Sequence, residues 1–175
     1  MVTNGFCYYY DMSPFDLTSL ELKIVSARDI STLIEESRYA FSPPSTNPDE
    51  DSRALFDFFE RRHESGKDVR YQPLAYVLHG RPISYIVALS YKNNAIAIGP
   101  MYVAQDFRGY GVGAKQVTDF IKYANRHRFD GIFTKTWGKN GASQAIFAKN
   151  GFETIVMKPG DRADGDATIK YFLKL

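Results

Sequence analysis

Cysteine occurs once, at Cys7, so no disulfide can form within the chain. No apolar run approaches the roughly 20 residues of a membrane span, and no signal peptide is recognisable. A soluble chain of a reducing compartment, the cytoplasm, is therefore the expectation. An excess of one charge is missing too. Twenty-two Lys and Arg against 20 Asp and Glu leave +2, and the basic residues are scattered, which argues against nucleic acid or a membrane surface as partner. Repeats and low-complexity tracts are absent. What is present is 175 residues of 44% hydrophobic content, enough for one sizeable core.

The first 19 residues form an aromatic extension with Phe6, Tyr8, Tyr9, Tyr10 and Phe15. Such a segment packs on something: a core edge, a second copy in a homodimer, or a wall of a substrate cleft. Residues 20–175 then read as one domain. Leu20 to Val25 alternates like a first strand, and Ser26 to Asp29 resembles a capping box opening a helix through Ile30, Leu33 and Ile34. Asn47-Pro48-Asp49-Glu50 starts a further helix through Leu55, Phe56, Phe58 and Phe59. Pro73 to His79, Ile83 to Tyr91 and Ala95 to Val103 read as an antiparallel meander whose first turn is Gly80-Arg81-Pro82. An amphipathic helix buries Val112, Val117, Phe120, Ile121 and Ala124, and the last strands are Glu153 to Lys158 and Ala167 to Leu175.

Between the third meander strand and that helix stands the segment that organises the chain: Val103-Ala104-Gln105-Asp106-Phe107-Arg108-Gly109-Tyr110-Gly111-Val112-Gly113-Ala114. Glycines at 109, 111 and 113 let successive backbone N–H groups of a turn and first helical turn approach one anion. Arg108 adds a fixed positive charge, and the helix dipole favours the same anion. A P-loop is excluded because Ala114 follows Gly113 and Gln116 stands where a hydroxyl is required. The glycine spacing is also wrong for a dinucleotide fingerprint. The pattern that fits is [Q/R]-x-x-G-x-[G/A], on Arg108, Gly111 and Gly113.

A second constellation follows the strand Gly131 to Trp137. Asn140 caps a helix containing Ala142, Ala145, Ile146 and Ala148, and Asn150-Gly151 supplies a left-handed stop before Phe152. With Arg108, Gly111 and Gly113, the spacing of Asn140, Phe147, Gly151 and Phe152 resembles the GNAT N-acetyltransferase superfamily. The resemblance is close over residues 95–158 and rests elsewhere on the order and type of elements. It implies an α/β (α+β) fold: one mixed, mostly antiparallel sheet of about seven strands with a splayed central pair, in three layers with about four helices.

The resemblance further implies acetyl-CoA, or another acyl-CoA, as cosubstrate, and no metal. The cradle for its pyrophosphate is Arg108, Gly109, Tyr110, Gly111, Val112, Gly113 and Ala114. Met101 and Val103 offer backbone partners to the pantetheine arm where Gly99-Pro100 breaks the strand, and Asn140 and Phe147 border the arm. A backbone N–H at Met101 would polarise the thioester carbonyl.

Two positions depart from the family pattern. Many relatives carry a tyrosine at the Phe147 position to protonate the thiolate, and a glutamate as general base on the strand before the cradle. Phenylalanine donates no proton, and residues 93–105 contain no acid. A lysine-like amine is about 99.9% protonated at pH 7, so some group must take its proton. The candidates are Glu36, His63, His79, Tyr91, Tyr102 and Asp106, and Ser143, one turn before Phe147, could orient a water. Cys7 lies outside both motifs and has no expected part in transfer. The expected activity is direct transfer of an acyl group to a primary amine of a small molecule. The alternatives are a protein or peptide amine, or a degenerate module that only binds acyl-CoA.

Overall fold

The computed structural model describes residues 16–41, 69–162 and 164–175. The expected helix from Asn47, most of the aromatic extension, Cys7 and His63 lie outside the described residues. One seven-stranded sheet runs through the remainder, in the order β1-β2-β3-β4-β5-β7-β6. Its strands are β1 (Leu22–Ile24), β2 (Val69–Leu78), β3 (Arg81–Tyr91), β4 (Ala95–Val103), β5 (Gly131–Trp137), β6 (Glu153–Lys158) and β7 (Thr168–Lys174). Only β4 and β5 pair in parallel. Three α-helices flank the sheet among the described residues: α1 (Ser31–Phe41), α2 (Val112–Arg126) and α3 (Gly141–Lys149).

Local chemistry sets most boundaries. His79 and Gly80 hold φ of 49° and 78°, so a two-residue turn with both residues left-handed joins β2 to β3. The turn thus lies one residue earlier than expected, and Arg81 and Pro82 already belong to β3. Pro82 is tolerated because the register shifts at its partner Val77. β1 is shorter than the expected strand because Leu20 closes a 3-10 turn at Leu17–Ser19 that Asp16 caps through the Thr18 N–H, at 2.8 Å. The capping box before α1 forms as expected. Ser26 donates N–H and Oγ–H to the Asp29 carboxylate at 2.8 Å each, and the Asp29 N–H returns to Ser26 Oγ at 3.3 Å. Its first turn, Arg28–Ile30, is 3-10 rather than α.

Alternate residues of β3 separate the two faces. Tyr85 and Val87 pack with Ile30, Leu33 and Ile34 under α1. Ile86 and Ala88 pack with Val117, Phe120, Ile132 and Phe147 under α2 and α3. At Gly99 and Pro100, β4 bulges, so that Ile86 faces Met101 while Ala88 faces Ile98. A side chain at 99 would come within 3.2 Å of Leu89 and of the Val87 carbonyl, which is why glycine stands there. On its other side β4 pairs with β5 only at Ala95, Ile96 and Ala97. Beyond them the strands part, as the expected splay requires, while β5 stays paired with β7 through Trp137.

Candidate active site

The turn after β4 is built to expose backbone donors. Gln105–Phe107 forms a 3-10 turn closed by the Arg108 N–H on the Gln105 carbonyl at 3.2 Å. Gly109 and Gly111 both have φ of 83°, a conformation that disfavours any side chain. No side chain caps α2, and its first bond is Lys115 N–H to the Gly111 carbonyl at 3.0 Å. The N–H groups of Val112, Gly113 and Ala114 therefore have no acceptor within the helix. Gly113 is less demanding, since a Cβ there would meet Ile146 and Val103 at 3.6 and 3.7 Å, ordinary contacts that alanine would also satisfy.

Arg108 is held at the edge of this cradle. Its Nε donates to the Val103 carbonyl at 3.0 Å, and its guanidinium carbon lies 4.9 Å from the centre of the Tyr102 ring. Among the described residues the remaining guanidinium donors have no partner, and their planar fork suits phosphate oxygens.

From the cradle a cleft of about 670 Å³ runs into the gap between β4 and β5. Met101, Tyr102 and Val103 line it from β4, and Arg108, Gly109, Gly111, Val112, Gly113 and Ala114 from the turn and α2. Asn140, Ser143 and Phe147 line it from the far wall. Twelve of the thirteen residues expected at the site are thus brought together. Tyr110 is not among the lining residues, and its side chain stands 46% exposed. Asn140 caps α3 by accepting the Ser143 N–H at 3.2 Å. Phe147 is 3% exposed, with the rings of Phe152 and Tyr171 each centred 5.4 Å away.

Of the proposed proton acceptors only Tyr102 reaches the cleft among the described residues. Glu36, His79 and Asp106 are exposed elsewhere on the surface. Tyr91, at the end of β3, has its phenol pushed up by burial and by nearby Tyr71, which makes it a weaker acid. No Asp, Glu or His is among the lining residues, and no group of three or more His, Cys, Asp and Glu could hold a metal among the described residues.

Four lining residues come from β5 and were not anticipated. Thr134 and Thr136 are buried on the side of α2 and α3, whereas Lys135 and Trp137 belong to the alternate face, the side of α1. Residues of both faces line one space, so the cleft passes through the sheet. Thr134 Oγ1 donates to the Ile98 carbonyl at 3.4 Å across the opening, and Thr136 Oγ1 is buried with no partner. Polar residues at alternate, inward positions of an otherwise apolar strand are the signal that could have revealed these threonines.

Fold and site together define a transferase class: a splayed sheet, a backbone anion cradle at the splayed strand's end, and a cleft running from the cradle into the gap between β4 and β5. The sequence matches the family model of the acetyltransferase (GNAT) family over residues 31–152. The chain belongs to that family, whose members are acyl-CoA-dependent N-acetyltransferases, and acetyl-CoA is its cosubstrate. The ribosomal-protein-S18-alanine N-acetyltransferase of Escherichia coli superposes with a TM-score of 0.69 at 15% identity, over 89% of this chain and 93% of that one. The IAA acetyltransferase of Bacillus cereus ATCC 14579 gives 0.66 at 15%, over 90% and 100%. A candidate streptothricin acetyltransferase of Bacillus anthracis str. Ames, solved with acetyl coenzyme A, gives 0.53 at 22%, over 60% and 62%. At these identities the likeness is one of fold. No curated protein sequence matches significantly.

Proposed function

We propose that the protein transfers the acetyl group of acetyl-CoA to a primary amine of a small molecule by direct attack. The observation that carries this reading is the cleft through the sheet, with the cradle at one end and the α1 face of the sheet at the other. Its volume of about 670 Å³ lies in the range of small-ligand sites. The thioester supplies an activated acyl group. The amine nitrogen forms the new N–C bond, the C–S bond breaks, and the proton lost by nitrogen ends on the CoA sulfur.

The chain's own groups divide the work. The N–H groups from Gly109 to Ala114 and the Arg108 guanidinium hold the pyrophosphate. The β4 edge from Ile98 to Met101, unpaired with β5, offers its backbone to the amide groups of the arm. Since the Val103 carbonyl already accepts Arg108, Met101 is the nearer partner. Asn140 and Ser143 border the arm, and Phe147 closes the apolar side.

The experiment is an assay of CoA release from acetyl-CoA against free amines, amino acids and peptides, with acetyl-CoA binding measured by calorimetry. Release with small amines is expected. Turnover confined to peptides would replace the acceptor, and binding without any turnover would leave an acyl-CoA-binding module.

A further inference from the structure

Lys135 and Trp137 line the cleft from the α1 face and belong to neither motif. β5 and β7 are antiparallel there, with Phe133 opposite Phe172, Lys135 opposite Lys170 and Trp137 opposite Thr168. The Phe133 and Phe172 rings meet at 4.7 Å, which fixes this row of residues on one face. Lys135, exposed, lines the cleft, and Lys170 stands beside it across the strand pair. Like charges directly opposite on an antiparallel pair repel. Among the described residues neither lysine has an ion pair or a hydrogen bond. A third cation extends the row: the Arg162 guanidinium stacks on the Trp137 ring at 4.9 Å.

The acids of the neighbouring loop offset Arg162 but, among the described residues, none pairs with either lysine. Asp164 lies 3.6 Å from Arg162 Nε, and the Asp166 carboxylate is taken by the backbone N–H groups of Lys139 and Ala167 at 2.9 and 2.7 Å. Among the described residues no carboxylate lines the cleft itself. A protonated polyamine would thus meet cations on entry and find no anion inside. An amine that also carries an acid group meets the opposite situation, because its anion can settle between two unpaired ammonium groups while its nitrogen points into the gap between β4 and β5.

We propose that the acceptor is an amine bearing an acid group, of the amino-acid type, and that Lys135 and Lys170 hold that group at the α1 mouth. The inference rests on the transfer reading above and narrows its acceptor from amines in general to anionic ones.

The test compares amino acids of graded chain length with their own amides, in which the nucleophile is kept and the anion removed. Two readouts are taken: kcat/KM with saturating acetyl-CoA, and calorimetric binding of the acceptor to the CoA-saturated protein. For the best chain length, the acid is expected to exceed its amide by about tenfold in both. That preference should collapse in Lys135→Gln/Lys170→Gln, return with Lys135→Arg/Lys170→Arg, and weaken as salt is raised. An amide equal to its acid in the wild-type protein would overturn the inference, as would a preference that survives in the double Gln variant. Preferential binding of the acid without turnover would support the lysine site while removing the transfer reading, so the two failures are separate. Thermal midpoints of both double variants show whether the sheet is intact. The removal of like-charge repulsion predicts no loss of stability in the Gln pair.

Discussion

At the scale of single residues, Tyr102 and Phe147 are held by ring contacts whose effects mutation can separate from proton transfer. Tyr102 is 8% exposed, stacked on Tyr85 at 6.1 Å between centroids and capped by Arg108, so its ring holds that cation in place beside the cradle. Tyr102→Leu is expected to weaken CoA binding by about 0.5–1 kcal/mol, the worth of an exposed cation–π contact. Tyr102→Phe should keep the affinity, and a large loss in kcat for that variant would instead restore the phenol to the chemistry. Phe147 is wedged between Phe152 and Tyr171 yet lines the cleft. Phe147→Tyr preserves those contacts and adds a hydroxyl, so kcat should hold or rise with CoA affinity unchanged. If kcat stays flat while the thermal midpoint falls by the equivalent of about 1–3 kcal/mol, the hydroxyl has been buried without a partner.

At the scale of elements, the cradle is a property of how α2 begins. A left-handed Gly111 and an absent cap leave the first-turn donors facing the cleft. Gly111→Val introduces a branched side chain at φ of 83°, where a single strained residue costs about 1–3 kcal/mol. The turn would then relax away from the anion. Calorimetry should show CoA affinity reduced by at least about tenfold, a loss of about 1.4 kcal/mol. Gly113→Ala, which meets only ordinary contacts, should bind nearly as wild type. Equal losses in both variants would show that steric approach, rather than the left-handed turn, governs the site. These elements were legible because their signals are local: the glycine spacing, the Asn140 cap, and the Asn150-Gly151 stop, where Gly151 has φ of 82°. β4, β5 and β6 occupy the residues expected of them. β2 starts earlier, at Val69, because pairing with the end of β3 extends it beyond what its own alternation announces.

At the scale of the molecule, one polar cluster ties α2 to β2 and to the turn before β1. Tyr76, fully buried, donates to Asp119 at 2.7 Å, and Lys122 reaches the same carboxylate at 2.9 Å. Lys115 contacts Asp119 too, and also donates to the Leu20 carbonyl at 3.0 Å. Burial alone would raise the Asp119 carboxyl, but the bonds from Lys115, Lys122 and Tyr76 hold it below its ordinary value. Burial and the Asp119 hydrogen bond push the Tyr76 phenol strongly up. A carboxyl whose folded value is depressed contributes stability above its unfolded value, near 3.9, and loses it as pH falls through the folded one. Asp119→Asn should therefore lower the thermal midpoint at pH 7 by the equivalent of about 1–3 kcal/mol. It should also flatten the loss of stability as pH falls below about 4. Parallel melting curves of wild type and variant across that range would sink the assignment.

The sequence by itself determined the cradle and the cap of α3, because each follows from a few neighbouring residues whose backbone preferences act alone. Strand types in β4 and β5 could be read in the same way, whereas the class of fold and the expectation of acetyl-CoA came from the family resemblance that the two motifs carry. Only the tertiary structure decided where the sheet parts, at Ala97 and Phe133, since a parallel pair has no local turn to fix its length. The same parting makes Thr134, Thr136 and Lys135 into lining residues and sets Lys135 beside Lys170, although 34 residues of chain lie between the two. A side chain's face can be read from alternation along a strand. Which strand stands next to it, and whether a gap opens there, is settled by long-range packing that no local pattern encodes.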